Sequence, residues 1–268
     1  MSDQAPVSDG EVFLELASGM RRSILIALDG KKLKLSQLAE SLDMTIQESH
    51  RQFARLANAG LVRKDSEGLL SLTACGRIVA KQIPCFDFLE RNELYFRDHS
   101  FGELPLKFIQ RLAALNNSEP VDGVVAVLER WKGMLLEAKE HVWCISPQIP
   151  LDVSMLGIEV LTKGVKLSLL LSKNTIAPKG SLDEIDKRLR GLISKGTVER
   201  RMMEKASIAV VFNERQYSCV GFANSRGDGD LNYMFFSRDP HFFEWCYDYF
   251  QYEWSRSDDW DGSRIREI

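Results

Sequence analysis

Residues 35–72 read LSQLAESLDMTIQESHRQFARLANAGLVRKDSEGLLSL, and this stretch decides the fold. Leu35, Leu38, Ala39 and Leu42 recur at helical spacing before Asp43-Met44 interrupts them. Thr45-Ile46-Gln47-Glu48 has the Thr-x-x-Glu form of a capping box, which opens a second helix. In that helix Ile46, His50, Phe53 and Leu56 fall on one side at steps of three or four, leaving Gln47, Ser49, Arg51, Gln52 and Arg55 as a donor-rich face. Asn58-Ala59-Gly60 stops it, because glycine takes the left-handed C-cap conformation without strain. Leu61-Val62-Arg63-Lys64, a turn at Asp65-Ser66-Glu67-Gly68 and Leu69-Leu70-Ser71-Leu72 then read as a hairpin.

Helix, tight turn, capped helix, glycine stop and basic hairpin, in that order, are the parts of a winged helix-turn-helix. The order implies double-stranded DNA as a partner. Gln47, Ser49, Arg51, Gln52 and Arg55 would face a groove, and Arg63 and Lys64 of the wing would meet phosphates. A helical pair with a merely solvated polar face is the competing reading, but a plain bundle has no use for a two-stranded ribbon at this point. Glu48 and Glu67 dilute the basic head, which keeps open a protein-interaction adaptor that does not bind DNA.

At 268 residues, 44% hydrophobic and 27% charged, the chain has the make-up of a globular protein of about two domains. No apolar run approaches the roughly 20 residues of a membrane span, and residues 1–10 lack the basic-then-apolar profile of a secretory leader. A cytoplasmic location without a membrane partner is expected. Cys75, Cys85, Cys144, Cys219 and Cys246 are odd in number and never in a C-x-x-C pair, so reduced thiols are expected rather than disulfides or a zinc site. The net charge of -3 hides an uneven split. Residues 1–82 carry 11 Lys+Arg against 10 Asp+Glu, and residues 83–268 carry 24 against 28. Arg51, Arg55, Arg63 and Lys64 make the basic character local, and one lightly basic head favours a homodimer on two half-sites.

The expected architecture is of α+β/α/β class, with a winged helix-turn-helix DNA-binding domain at 1–82, a helical connector at 83–120 and a mixed-sheet α/β sensor domain at 121–268. Residues 11–28 read as one helix burying Val12, Phe13, Leu16, Met20, Ile24 and Ala27, and a helix starting near Thr73 should end or kink at Pro84. The connector is rich in aromatics and leucines, which suits either core packing or a dimer interface. Residues 116–120 read as a linker, and 121–139 as a helix. Beyond them, strands at 141–146, 165–171, 198–202, 207–212 and 217–222 alternate with helices at 153–163 and 182–194, before a closing helix at 240–254.

Nucleophilic, metal and cofactor chemistry does not assemble in this sequence. The four histidines, His50, His99, His141 and His241, belong to no H-E-x-x-H, and neither G-x-S-x-G nor a phosphate-binding P-loop occurs. His50 reads as a core histidine on the apolar side of the recognition helix. Asp228-Gly229-Asp230 lacks the rest of a calcium loop and reads as a turn.

Arg91-Asn92-Glu93-Leu94-Tyr95-Phe96-Arg97-Asp98-His99-Ser100, then Gly102-Glu103-Leu104-Pro105 and Phe108-Ile109-Gln110-Arg111-Leu112, carry a resemblance. So do Cys144-Ile145-Ser146-Pro147, Lys163-Gly164-Val165 and Phe236-Ser237-Arg238-Asp239-Pro240 with Glu244-Trp245 and Phe250. Across residues 11–254 the chain resembles archaeal winged-helix transcriptional regulators with a methanogenesis-regulator-type middle domain. These are similar to sugar-responsive regulators whose sensor domain is phospholipase-D-like. The resemblance implies a DNA-binding regulator with a C-terminal effector-sensing domain, and it supplies an alternative, an active phosphodiesterase. Phospholipase-D chemistry needs H-x-K-x-x-x-x-D, with histidine as nucleophile and lysine on the phosphate. Here Met203 stands for the histidine, Lys205 for the lysine and Val210 for the acid, so no enzyme activity is expected. A small-molecule effector would be held near the strand ends, with Ser146, Ser172, Lys173, Arg201, Lys205 and Asn232 as candidates. Lys205 would hold an anion with help from Arg201.

Overall fold

The computed structural model of the protein describes residues 11–268, which divide into two compact units between Phe86 and Asp87. The first contains α1 (Glu11–Leu16), α2 (Gly19–Ala27), α3 (Leu35–Ser41), α4 (Ile46–Asn58), β1 (Val62–Lys64), β2 (Leu70–Leu72) and the start of α5 (Ala74–Arg91). The single helix expected over 11–28 is two. Ser18 is extended, with φ -92 and ψ 120, because serine and the following Gly19 both favour a cap over a helix interior. The break rotates the buried face, so Phe13 is exposed while Ile24, Leu25 and Leu28 join Leu38, Phe53 and Leu56 in the core.

Thr45 caps α4 by accepting from the Glu48 N–H at 3.1 Å, and Gly60 ends it at φ 70. The wing turns where the Asp65 carboxylate accepts from the N–H groups of Glu67 and Leu69 at 3.1 and 2.9 Å, with Gly68 at φ 81. Leu33 adds a third ribbon position by exchanging backbone hydrogen bonds of 3.1 and 2.8 Å with Leu70. The base of the wing is closed by Thr73, whose Oγ1 donates to Gly60 O at 2.7 Å and accepts from Gly76 N at 2.9 Å. That closure brings α5 so near the chain that a Cβ on Gly76 would lie 1.8 Å from Leu61 O. α5 does not end at Pro84. Burial of Ile83 and Phe88, each worth roughly 1.5–3 kcal/mol, offsets a helical proline that costs ~3 kcal/mol.

The second unit is built on one mixed sheet. After α6 (Leu106–Ile109) come β3 (Glu119–Asp122), α7 (Val124–Glu137), β4 (His141–Gln148), α8 (Leu151–Thr162), β5 (Lys166–Ala177), α9 (Ser181–Ser194) and β6 (Val198–Met203). They are followed by β7 (Ala209–Asn213), β8 (Ser218–Gly221), β9 (Tyr233–Ser237), α10 (Pro240–Trp254), β10 (Asp258–Asp259) and β11 (Arg266–Glu267). The strand order is β10-β6-β5-β4-β7-β8-β9-β3, with β11 alongside β5. β4, β5 and β6 are parallel, and β7, β8, β9 and β3 continue antiparallel. β5 is aliphatic throughout its middle because helices or loops cover both of its faces.

One expectation is corrected in this unit. The linker at 116–120 contributes to edge strand β3, where Pro120 is tolerated because an edge position requires no N–H from it, and the following helix begins only at Val124. For residues 87–115, where core packing and a dimer interface both stood open, several aromatic side chains pack into the core of this unit. Tyr95 and Phe96 pack with Phe222, Tyr95 meets Phe235, and Phe108 packs edge-on against Trp245 and Tyr249 of α10. Trp245 Nε1 donates to Phe108 O at 3.1 Å, and Phe222 N donates to the Tyr95 hydroxyl at 3.0 Å. Leu94 and Leu106 remain exposed, as does Phe86 at the boundary. Among the described residues no helix is long and apolar enough to cross a membrane.

Replacing Gly76 by alanine forces a methyl onto the Leu61 carbonyl and is expected to cost about 2–3 kcal/mol. Urea unfolding should show a lower midpoint at unchanged slope. Gly133→Ala in α7, where an added Cβ meets nothing within 4 Å, should instead stabilise by about 0.5–1 kcal/mol.

Candidate nucleic-acid interface and effector cleft

α4 is set with Ser49, Gln52, Phe53 and Leu56 buried, and its exposed residues are Ile46, Gln47, His50, Arg51, Arg55 and Asn58. This corrects the expected helix phase. Ser49 and Gln52 do not face a groove, and His50 is an exposed residue rather than a core one. The buried positions step i, i+3, i+4, i+7 from Ser49, but two of the four are polar, which hides that phase in the sequence.

A chain of charge-assisted hydrogen bonds holds this orientation. The buried carboxylate of Glu15 is gripped by Arg55, Nη2 to Oε1 at 2.8 Å and Nε to both oxygens at 3.2 Å, and by Arg21 Nε at 2.6 Å. Arg21 Nη1 donates to Gln52 Oε1 at 3.0 Å, Gln52 Nε2 to Glu48 Oε1 at 2.6 Å, and Arg51 Nη2 to Glu48 Oε2 at 2.6 Å. The hydrogen bond to Glu15 raises the Arg55 pKa further, while those from Gln52 and then Arg51 lower that of Glu48. Arg55 is thereby ion-paired with the unit's interior charge while about half of its side chain, 48%, stays exposed. Arg51 keeps one exposed i,i+3 partner, an interaction worth little in water, and can exchange it for phosphate. Arg63 and Lys64 lie exposed on β1, with no acceptor paired to either among the described residues.

The six effector candidates do not converge. Ser146 is buried and donates to Gln148 O at 2.6 Å, and the Ser172 N–H donates to Thr175 Oγ1 at 3.0 Å. Lys173 Nζ is held by Glu204 at 2.6 Å and Asp258 at 3.1 Å. Arg201 Nη2 donates to Ser257 O at 2.9 Å, with its guanidinium 5.7 Å from the Trp254 ring centroid. Asn232, exposed, donates to the buried Asp230, which also meets His99 Nε2 at 2.8 Å. Asp230 is therefore an interior anchor for the 222–232 segment and not simply part of a turn.

Lys205 alone of the six opens into a polar cleft of 230 Å³, bordered also by Glu103, Met203, Glu204, Tyr249, Glu253, Arg256 and Asp258. Gly227, at φ 79, leaves room for the ammonium, since a Cβ there would sit 2.4 Å from Nζ. Arg256, not Arg201, is the second cation here. Burial pushes the Glu253 carboxyl up, opposed by Arg256 and Tyr249 and reinforced by Glu103. With four carboxylates facing two cations, the cleft is a poor anion site, contrary to the role expected of Lys205. Burial raises the Cys144 thiol to about 12, which leaves it protonated and unreactive at neutral pH. Cys75 is exposed, whereas Cys219 and Cys246 are buried.

No protein-family model matches the chain, and no curated protein does. Among solved structures it is similar to TrmBL2, an archaeal chromatin protein showing a novel mode of DNA binding, at 15% identity and TM-score 0.43 over 94% of this chain and 100% of that one. It is also similar to NucT from Helicobacter pylori, at 11% identity and TM-score 0.42 over 53% of this chain and 98% of that one. Nuc from Salmonella typhimurium, a phospholipase D family member, matches at 14% identity and TM-score 0.38 over 54% and 99%. These are remote likenesses of general shape, a helical N-terminal region followed by a mixed sheet with helices, and nothing about the chemistry of this chain follows from them.

Ser49 Oγ is buried without a hydrogen-bond partner among the described residues, so Ser49→Ala should raise the urea midpoint. For Glu253 the pKa is raised on folding, so its contribution to stability is complete below about pH 4.5 and is lost as pH rises through the folded value. Glu253→Gln should therefore raise the melting temperature at pH 8 and do little at pH 4, a difference read directly from two thermal scans.

Proposed function

We propose that this protein is a DNA-binding transcriptional regulator, of the archaeal methanogenesis-regulator type that its sequence resembles, acting as a homodimer with an effector-binding second unit. The observation that carries the reading is the capped α4, held with Gln47, His50 and Arg51 outward, in one unit with a hairpin that exposes unpaired Arg63 and Lys64. A helix with donors on its free face and a basic two-stranded wing are what groove reading and phosphate anchoring require. Three cations and a histidine make a small electrostatic footprint, which favours two heads on paired half-sites over one. Support for a non-hydrolytic second unit is the Met203 thioether at the nucleophile's position, since it cannot carry a phospho-intermediate, together with Val210, buried and apolar, where the acid would stand.

Duplex DNA titrated by fluorescence anisotropy at several salt concentrations tests the reading. Arg63→Ala and Lys64→Ala should each weaken binding to all sequences alike and reduce the salt slope by about 1. Arg51→Ala should weaken binding with no loss of stability, whereas Arg55→Ala should lower stability first. Light scattering should give twice the 30.5 kDa chain mass, and phosphodiester substrates should remain uncleaved. Wild-type protein that ignores duplex DNA at low salt would leave the adaptor alternative standing.

A further inference from the structure

The sheet face that meets α7, α8 and α9 is not completely filled. A cavity of 120 Å³ lies there, and its floor is set by strand register. Cys144 lies opposite Leu169 and Ser146 opposite Leu171, while Leu169 is also opposite Arg200 of β6. These residues share one face by the two-residue period of strands. The roof is apolar, from Gly157 and Ile158 of α8 and Ile185 and Leu189 of α9. An apolar cavity of roughly 150 Å³ holds a benzene ring, so this one accommodates a single ring or a chain of about six carbons.

One border of the cavity is charged. Arg200 has a side chain only 12% exposed, its guanidinium 4.1 Å from the Trp260 ring centroid. Among the described residues its sole hydrogen-bond acceptor is Asp186, reached through Nη1, and Asp186 is itself 48% exposed. A guanidinium has five N–H donors, and burying one against an apolar space is costly unless an acceptor meets the remaining donors. Trp260 stacks on the cation as a flat wall, and the half-exposed Asp186 shows that solvent reaches this border. An apolar chamber ending at a largely covered arginine, with one carboxylate partner and further N–H donors, matches a ligand with an apolar body and one carboxylate that shares the guanidinium with Asp186.

We propose that the second unit binds a small monocarboxylate, aliphatic or aromatic, with its apolar body between β4, β5, α8 and α9 and its carboxylate on Arg200. This deepens the effector reading above by naming the ligand class, at a site distinct from the cleft around Lys205.

The test titrates the whole protein with sodium hexanoate and sodium benzoate, followed by tryptophan fluorescence and by melting temperature, with hexan-1-ol as the uncharged control. At least one acid should stabilise the protein and bind about tenfold or more tighter than the alcohol. An added Cβ at Gly157 meets only Leu135 Cδ1, at 3.8 Å, so Gly157→Leu can direct its side chain into the cavity. That variant should abolish the response; if it does not melt cooperatively, Ser154→Leu on the same helix face reads the same outcome. Arg200→Met should keep alcohol binding and lose the preference for the acid. A wild-type protein indifferent to both acids at millimolar concentration, or an acid response undiminished in the filled variant, overturns the proposal. The DNA titration repeated with the acid present separates the two readings. Acid binding that leaves DNA affinity unchanged upholds the site and removes its effector role.

Discussion

A carboxylate out of water, Glu15, is the constraint on which the first unit depends. It is 6% exposed, and it is met by the guanidiniums of Arg21 and Arg55. Arg21 lies on α2 and Arg55 on α4, so three helices are tied at one point. Removing a single partner from such a group leaves charge uncompensated in a low-dielectric setting, which is why the arrangement holds its geometry firmly. Through Gln52 and Glu48 the same network reaches Arg51, passing along α4 from its interior side to its free face. Two arginines of α4 thus differ in what holds them: Arg55 is tied to the interior carboxylate of Glu15, and Arg51 to Glu48 on its own helix.

The second unit solves a different problem. A sheet with a parallel centre must be covered on both faces, and this chain does so asymmetrically. Interlocking aromatic rings from 87–115 and α10 close one face, where Phe212 meets Phe243, Tyr247 and Phe250. Aliphatic helices close the other, and there an apolar space remains. Rings fill volume in large rigid pieces with defined edge-to-face contacts, while the α8 surface presents Ser154 and Gly157, too small to reach the strands.

The sequence disclosed those elements that local chemistry alone determines. The Thr45 cap, the Gly60 stop and the Asp65–Gly68 turn are written in residues whose preferences do not depend on distant partners, and the aliphatic run of β5 announces a strand covered on both sides. What escaped reading was decided by tertiary contacts. The phase of α4 was hidden because Ser49 and Gln52 occupy inward positions, and the Gln52 side-chain oxygen is met by Arg21, 31 residues away. Edge strand β3 looked like a linker because its proline and polar neighbours are legible as strand only beside β9. Two of the candidate effector residues are explained by partners close in space and remote in sequence, Lys173 by Glu204 and Asp258 and Arg201 by Ser257, while Ser146, Ser172 and Asn232 bond to neighbours within three residues. A lining made of ordinary core residues, such as Leu169 and Ile185, carries no mark in the sequence at all.

The tail that brings Trp260 to Arg200 is fastened by two strands of two residues each, β10 on β6 and β11 on β5. Pairings of two residues open more readily than the six-residue parallel pairings beneath them. For the proposed ligand, affinity would then be set by the sheet and helices, and the rate of release by how readily the segment carrying Trp260 lifts from Arg200.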